Sequence, residues 1–128
     1  MPYNQPLQRF KAEFFRALAH PIRVTILELL RQGELSVGEL QERLAIDPSS
    51  VSQQLAVLRS RDIVDTRRAG SNVFYTVRDP AVFGLLDIAR TIFDNHLITM
   101  QEMATPDRGE PPAKDRQAPL PGGVRRSG

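Results

Sequence analysis

The chain has 128 residues, 41% of them apolar, with no cysteine and a formal net charge of +2. That length suits one folded domain plus a tail, and the missing cysteine removes disulfides and thiolate metal sites. No run of about 18 apolar residues exists to span a membrane, and Met1–Phe10 lacks the charged-then-apolar pattern of a secretion signal, so the expected location is the cytoplasm.

In chain order, Leu7, Phe10, Phe14 and Leu18 recur at helical spacing and predict a first helix that ends at His20-Pro21. Pro21 suits the first turn of a second helix, whose buried stripe is Ile22, Ile26, Leu29 and Leu30 and whose stop is Gly33. Ser36 and Glu39 have the spacing of a capping box, which opens a short third helix carrying Val37, Leu40 and Leu44 inward. After the turn Ala45-Ile46-Asp47, Asp47 caps and Pro48 starts a fourth helix that runs to Ser60 with Val51, Leu55 and Leu58 on one face. Two β-prone runs, Ile63–Arg68 and Val73–Val77, flank the turn group Ala69-Gly70-Ser71-Asn72 and predict a hairpin. Asp79-Pro80 opens a last helix that continues to Met103.

The order helix, helix, short helix, helix, hairpin, long helix is that of a winged helix-turn-helix, a mainly α fold of α+β type, over residues 1–104. Residues 105–128 contain five prolines and four glycines with almost no apolar content, which predicts disorder.

Net charge says little about partners, because residues 1–104 carry 12 basic and 12 acidic side chains and the surplus lies in the tail. Placement says more. Between Pro48 and Arg78 stand Arg59, Arg61, Arg67, Arg68 and Arg78 against Asp62 and Asp65. On a wheel with Val51, Leu55 and Leu58 facing the core, the opposite face of the fourth helix shows Ser49, Ser52, Gln53 and Ala56, flanked by Gln54 and Arg59, and no acid. Glutamine pairs with adenine edges, and serine meets bases or phosphates. Arg67 and Arg68 lead into the hairpin turn and are placed to reach phosphates, while Arg59 and Arg61 are placed to clamp the backbone. A solvated polar helix face and a charge-protected edge strand are the plainer alternatives. The expected DNA-contacting set is Ser49, Ser52, Gln53, Gln54, Arg59, Arg67 and Arg68.

These stretches resemble the ArsR/SmtB-type repressors. The resemblance is carried by Ala17–Leu27, by Ser49–Leu58, and by Arg67-Arg68-Ala69-Gly70 with Phe74-Tyr75-Thr76-Val77. It implies a homodimer that represses by occupying a DNA operator and releases it on binding an effector, with base contacts at Ser49, Ser52 and Gln53. The family's cysteine metal site has no counterpart here, and of its Asp-x-His site only Asp79 remains. Asp94 and His96 late in the last helix are donors that suit nickel or zinc, but two ligands are too few, and a solvated pair is the preferred account. No metal ligand is therefore assigned.

The last helix carries two apolar stripes, Val82-Leu86-Ala89-Phe93-Leu97-Met100 and Leu85-Ile88-Ile92. A surface helix needs one stripe, so a second points to a partner. One stripe is expected on its own domain. The other, with Phe10 and Phe14, is expected against a second subunit. A palindromic operator follows from the twofold symmetry. The competing functions are a nickel- or zinc-responsive regulator with a non-standard site, a regulator without a ligand, and a winged-helix protein-interaction module that does not bind DNA. No catalytic residue is assigned, since the two histidines are far apart and neither a phosphate-cradling glycine loop nor an acid cluster exists.

Overall fold

A computed structural model of the protein describes residues 5–104; the segment 105–128, for which disorder is expected, lies outside the described residues. The elements are α1 (Gln5–Leu18), α2 (Pro21–Leu29), a 3₁₀ turn (Leu30–Gln32), β1 (Leu35–Ser36), α3 (Val37–Leu44), α4 (Pro48–Ser60), β2 (Val64–Ala69), β3 (Asn72–Val77) and α5 (Ala81–Ala104). This is a winged helix-turn-helix, with α3 and α4 as the paired helices and the β2–β3 hairpin as the wing.

Local chemistry sets the boundaries. His20 caps α2, its Nδ1 accepting from the Ile22 N–H at 3.1 Å. The Ser36–Glu39 capping box forms reciprocally, at 3.1 Å from the Glu39 N–H to the Ser36 hydroxyl and 2.8 Å from the Ser36 N–H to the Glu39 carboxylate. Ala45 adopts a left-handed conformation, φ 53°, to turn the chain from α3 into α4. α4 ends without a glycine. Asp62 takes the left-handed position, φ 60°, the Asp62 N–H donates to the Arg59 carbonyl, and the Ile63 N–H donates to the Leu58 carbonyl. Those two bonds are the pattern of a Schellman motif, and they aim Ile63 and Val64 back into the core.

All five helices and the small sheet contribute to one core, whose fully enclosed side chains are Ile26, Leu27, Leu40, Val51, Leu55, Leu58 and Val64. α4 buries only the face predicted for it, Val51, Leu55 and Leu58. The hairpin turns at Gly70, φ 64°, with Ala69 paired to Asn72 across a two-residue loop that favours glycine at this position.

The expected two-stranded wing is part of a three-stranded antiparallel sheet in the order β1-β3-β2. Leu35 pairs with Tyr75 and Ser36 with Phe74. The expected element order therefore lacked one strand and the 3₁₀ turn. A two-residue strand has no alternation to read, and it exists only because β3 offers its free edge.

The chain divides after Ile88 into two compact units. In the first, Val82 and Leu86 of α5 are buried, and Leu85 is half-buried. Arg31 fastens this end, donating to the Phe83 carbonyl at 3.2 Å and to Asp87 at 2.7 Å. The described part of the second unit is the continuation of α5 from Ala89 to Ala104, in which every residue is exposed. Phe93, Leu97 and Met100, expected against their own domain, are thus exposed, because periodicity marks a face that needs cover without naming what covers it.

Leu55→Ala is expected to cost about 2–5 kcal/mol of unfolding free energy, whereas Ser52→Ala on the same helix changes it by less than about 0.5 kcal/mol. Urea titration of both variants checks which face of α4 is inward.

Candidate nucleic-acid interface

The inner residues of α4 are clamped in the core, so its outer face is displayed. Ser49, Ser52, Gln53, Ala56 and Arg59 are all exposed. Among the described residues no carboxylate hydrogen-bonds or ion-pairs with Ser52, Gln53 or Arg59. Asp47, however, stands at the start of this face. Its Oδ2 accepts from the Ser49 hydroxyl, from the Ser50 N–H at 3.1 Å and from the Ser50 hydroxyl at 3.3 Å. The face is therefore acid-free along its length but not at its first turn.

Gln54 is directed differently from its neighbours. Its Oε1 accepts from Arg23 Nη1 at 2.7 Å, and the same guanidinium donates from Nε to the Ala17 carbonyl at 2.6 Å. Arg23 thus ties the end of α1 to α4 through α2, and Gln54 serves this tie. The two residues lie 31 positions apart, so no local pattern in the sequence joins them.

The wing separates its two arginines. In the β2–β3 register Arg67 faces Phe74 and Arg68 faces Val73, so their side chains leave opposite faces of the sheet. Arg67 is held twice. It stacks over the Phe74 ring at 4.6 Å and bonds Glu34 through Nε at 2.9 Å and Nη2 at 2.8 Å. Arg68 is exposed and, among the described residues, makes no ion pair. The other basic side chains of the stretch are also occupied. Arg61 bonds Glu13 of α1 at 3.0 Å, and Arg78 bonds Asp65 at 2.7 Å with Asp62 at 3.7 Å. Arg59 and Arg68 remain the unpaired cations of the predicted set. Glu34 and Glu13 escaped the sequence reading because their partners lie 33 and 48 residues away.

Beside α1 lies an open groove of about 590 Å³. Phe10, Phe14, Ile63, Val82 and Leu85 give it apolar walls, and the Glu13–Arg61 pair borders it. Three of the five residues expected at a dimer interface, Phe10, Phe14 and Leu85, therefore line one surface. Phe10 is 65% exposed and stacks on Phe14 with ring centroids 6.0 Å apart. Ile88 and Ile92, on their own stretches of α5, are 61% and 63% exposed.

No group of three histidine, aspartate or glutamate side chains is placed to hold a metal among the described residues. Asp94 bonds Arg90 at 3.2 Å. Asp94 and His96 are both exposed on α5, and no third such ligand joins them among the described residues.

Residues 20–66 match the family profile described as bacterial regulatory protein, arsR family. The HTH-type transcriptional regulator Rv0081 of Mycobacterium tuberculosis is 44% identical over 90 residues, covering 70% of this chain and 79% of that protein. Its crystal structure superposes with a TM-score of 0.67 at 42% identity, over 76% of this chain and 98% of the other. The biofilm growth-associated repressor of Agrobacterium fabrum is 43% identical over 82 residues, 64% of this chain and 70% of its own. The homodimeric winged helix-turn-helix DNA-binding domain Mb0332 of Mycobacterium bovis, a solution structure, gives a TM-score of 0.66 at 29% identity over 76% of this chain and 90% of that one.

The ties of this surface make it pH-dependent. Glu13 is held below the ordinary glutamate value of 4.5 by its hydrogen bond to Arg16 and that residue's charge, with Arg61 adding to both. Glu34 is held below 4.5 by its hydrogen bond to Arg67 and then by that charge. Asp47 lies below the ordinary aspartate value of 3.8, chiefly through the Ser49 hydroxyl and then the Ser50 N–H. A carboxyl group lowered on folding stabilises fully above its unfolded value and loses that contribution as pH falls through its folded value. The urea midpoint is therefore expected to stay level down to about pH 5 and to fall below it. In Glu34→Gln the fall is shallower.

Proposed function

The chain belongs to the arsR family of bacterial regulatory proteins, and from that premise we propose that it is a repressor that binds a palindromic operator as a homodimer in the cytoplasm. It is a DNA-binding transcriptional regulator by family. The observation that carries the rest is the two-sidedness of α4. Val51, Leu55 and Leu58 are locked inward, which leaves Ser52 and Gln53 free and exposed on the opposite face. An α-helix with such a face fits the major groove, where glutamine meets an adenine edge bidentately. Ser49 joins them at the first turn. Arg59 and Arg68 bind phosphate, and Arg67 does so to the extent that Glu34 releases it. Gln54 acts behind this row, as the partner of Arg23. These phosphate contacts position the protein without selecting sequence.

A second copy covers the exposed Phe10, Ile88 and Ile92 and the half-buried Phe14 and Leu85. Exposed apolar surface on this scale favours association, and the homodimeric Mycobacterium bovis domain is a relative of the same fold. Twofold symmetry then sets two copies of α4 into successive major grooves, roughly 34–36 Å apart. Repression follows from occupancy of the operator, as the name of the Agrobacterium fabrum relative describes for that protein.

Gln53→Ala is expected to weaken specific binding by about 1–3 kcal/mol and to relax base preference at one position per half-site. Arg68→Ala weakens binding to all sequences and lowers the salt slope by about 1, while Arg67→Ala does less because Glu34 already engages that charge. Gel-shift titrations over a range of salt separate the two effects. Light scattering at micromolar concentration should return a dimeric mass, and Ile88→Glu with Ile92→Glu should return a monomer that has lost operator binding. A monomeric mass for the unaltered chain would overturn the dimeric operator complex.

A further inference from the structure

Ser49 and Ser52 are equivalent as sequence, two hydroxyls on the outer face of α4, but the structure makes them different. A serine hydroxyl has one proton to donate and two lone pairs to accept with. An ionised carboxylate only accepts. Because the Ser49 hydroxyl is bonded to Asp47 Oδ2, its single proton is committed to that carboxylate, and only its lone pairs are left for a partner. The Ser50 N–H and hydroxyl gather on the same oxygen, at 3.1 and 3.3 Å, which holds the Asp47 carboxylate in this orientation. Ser52 is exposed and makes no such bond among the described residues, so its hydroxyl turns to donate or accept as a partner requires.

We propose that Asp47 and Ser49 form an acceptor-only edge at the first turn of α4, which selects an amino base, adenine or cytosine, over guanine or thymine on the contacted strand. In the major groove adenine N6 and cytosine N4 donate, whereas guanine O6 and N7 and thymine O4 accept. Phosphate oxygens also accept only. Ser49 as held therefore bonds neither a keto base nor the backbone, and the Asp47 charge repels phosphate besides. Asp47 is accordingly a specificity-determining residue as well as a helix cap, and it positions the proton of Ser49. The proposal rests on α4 reading the major groove.

The test is selection of bound duplexes from a random-sequence DNA pool by the full-length chain and its Asp47→Gly, Ser49→Ala, Ser49→Thr and Gln53→Ala variants. Glycine is tolerated at a helix N-cap at little cost and removes the acceptor, so Asp47→Gly remains folded, which its thermal unfolding verifies. The unaltered chain is expected to prefer adenine or cytosine about tenfold at one position of each half-site. Asp47→Gly and Ser49→Ala should reduce that preference to about twofold or less, and Ser49→Thr, which retains the hydroxyl, should keep it. If Gln53→Ala alters the selected sequence while Asp47→Gly and Ser49→Ala leave every position unchanged, the acceptor edge is overturned and the reading of α4 stands. Loss in Ser49→Ala with full retention in Asp47→Gly also overturns it, since the proton would not then need Asp47. If no variant, Gln53→Ala included, changes the selected sequence, the reading of α4 falls and this proposal with it.

Discussion

Everything this surface can do depends on the burial of Val51, Leu55 and Leu58. Fully burying each such side chain stabilises by about 1.5–3 kcal/mol, and all three are enclosed with Ile26, Leu27, Leu40 and Val64. Together they fix the rotation of α4 about its axis. Turning the helix by a single residue step would swing it about 100°, expose apolar surface and bury Ser52 or Gln53 without partners. The outer face is thus presented by default, as the complement of the inner one. The ends are secured separately, by Asp47 at the start and by the left-handed Asp62 at the finish. A second tether, Arg23 to Gln54, joins α4 to the C-terminal end of α1.

Electrostatics is redistributed once the chain folds. The run from Pro48 to Arg78 carries five arginines, yet three of them, Arg61, Arg67 and Arg78, are engaged by carboxylates from α1, from the segment before β1 and from β2. Exposed ion pairs of this kind contribute little to stability. Their consequence is spatial. They neutralise the flanks and leave Arg59 and Arg68 as the open cations, one near the end of α4 and one at the wing. Adjacent arginines in a strand look alike in sequence, but the pleat sends Arg67 over Phe74 and Arg68 to the other face.

The start of α5 and its continuation obey different constraints. Val82 and Leu86 belong to the core and need no partner. From Ala89 onward every described residue is exposed, among them Ile92, Phe93, Leu97, Ile98, Met100 and Met103. An apolar helix of this kind is costly to hydrate, which is why a second copy is the natural complement. The groove lined by Phe10, Phe14 and Leu85 offers the same chemistry beside α1.

The linear chain by itself determined the five helices and the hairpin, because helix periodicity, the His20, Ser36 and Asp47 caps and the Gly70 turn are all encoded within a few residues. It also identified the exposed row of Ser49, Ser52 and Gln53, since a helix wheel follows from spacing alone. Only the tertiary structure decided which polar side chains are free. Gln54 looked like its neighbour Gln53 until Arg23, 31 residues away, was seen to hold it. Arg67 looked like Arg68 until Glu34 met it. The two-residue β1 required the edge of β3 before it could exist. Backbone geometry is set by near neighbours and is legible in order. Hydrogen-bond partners are chosen by proximity in space, which the order of residues does not contain.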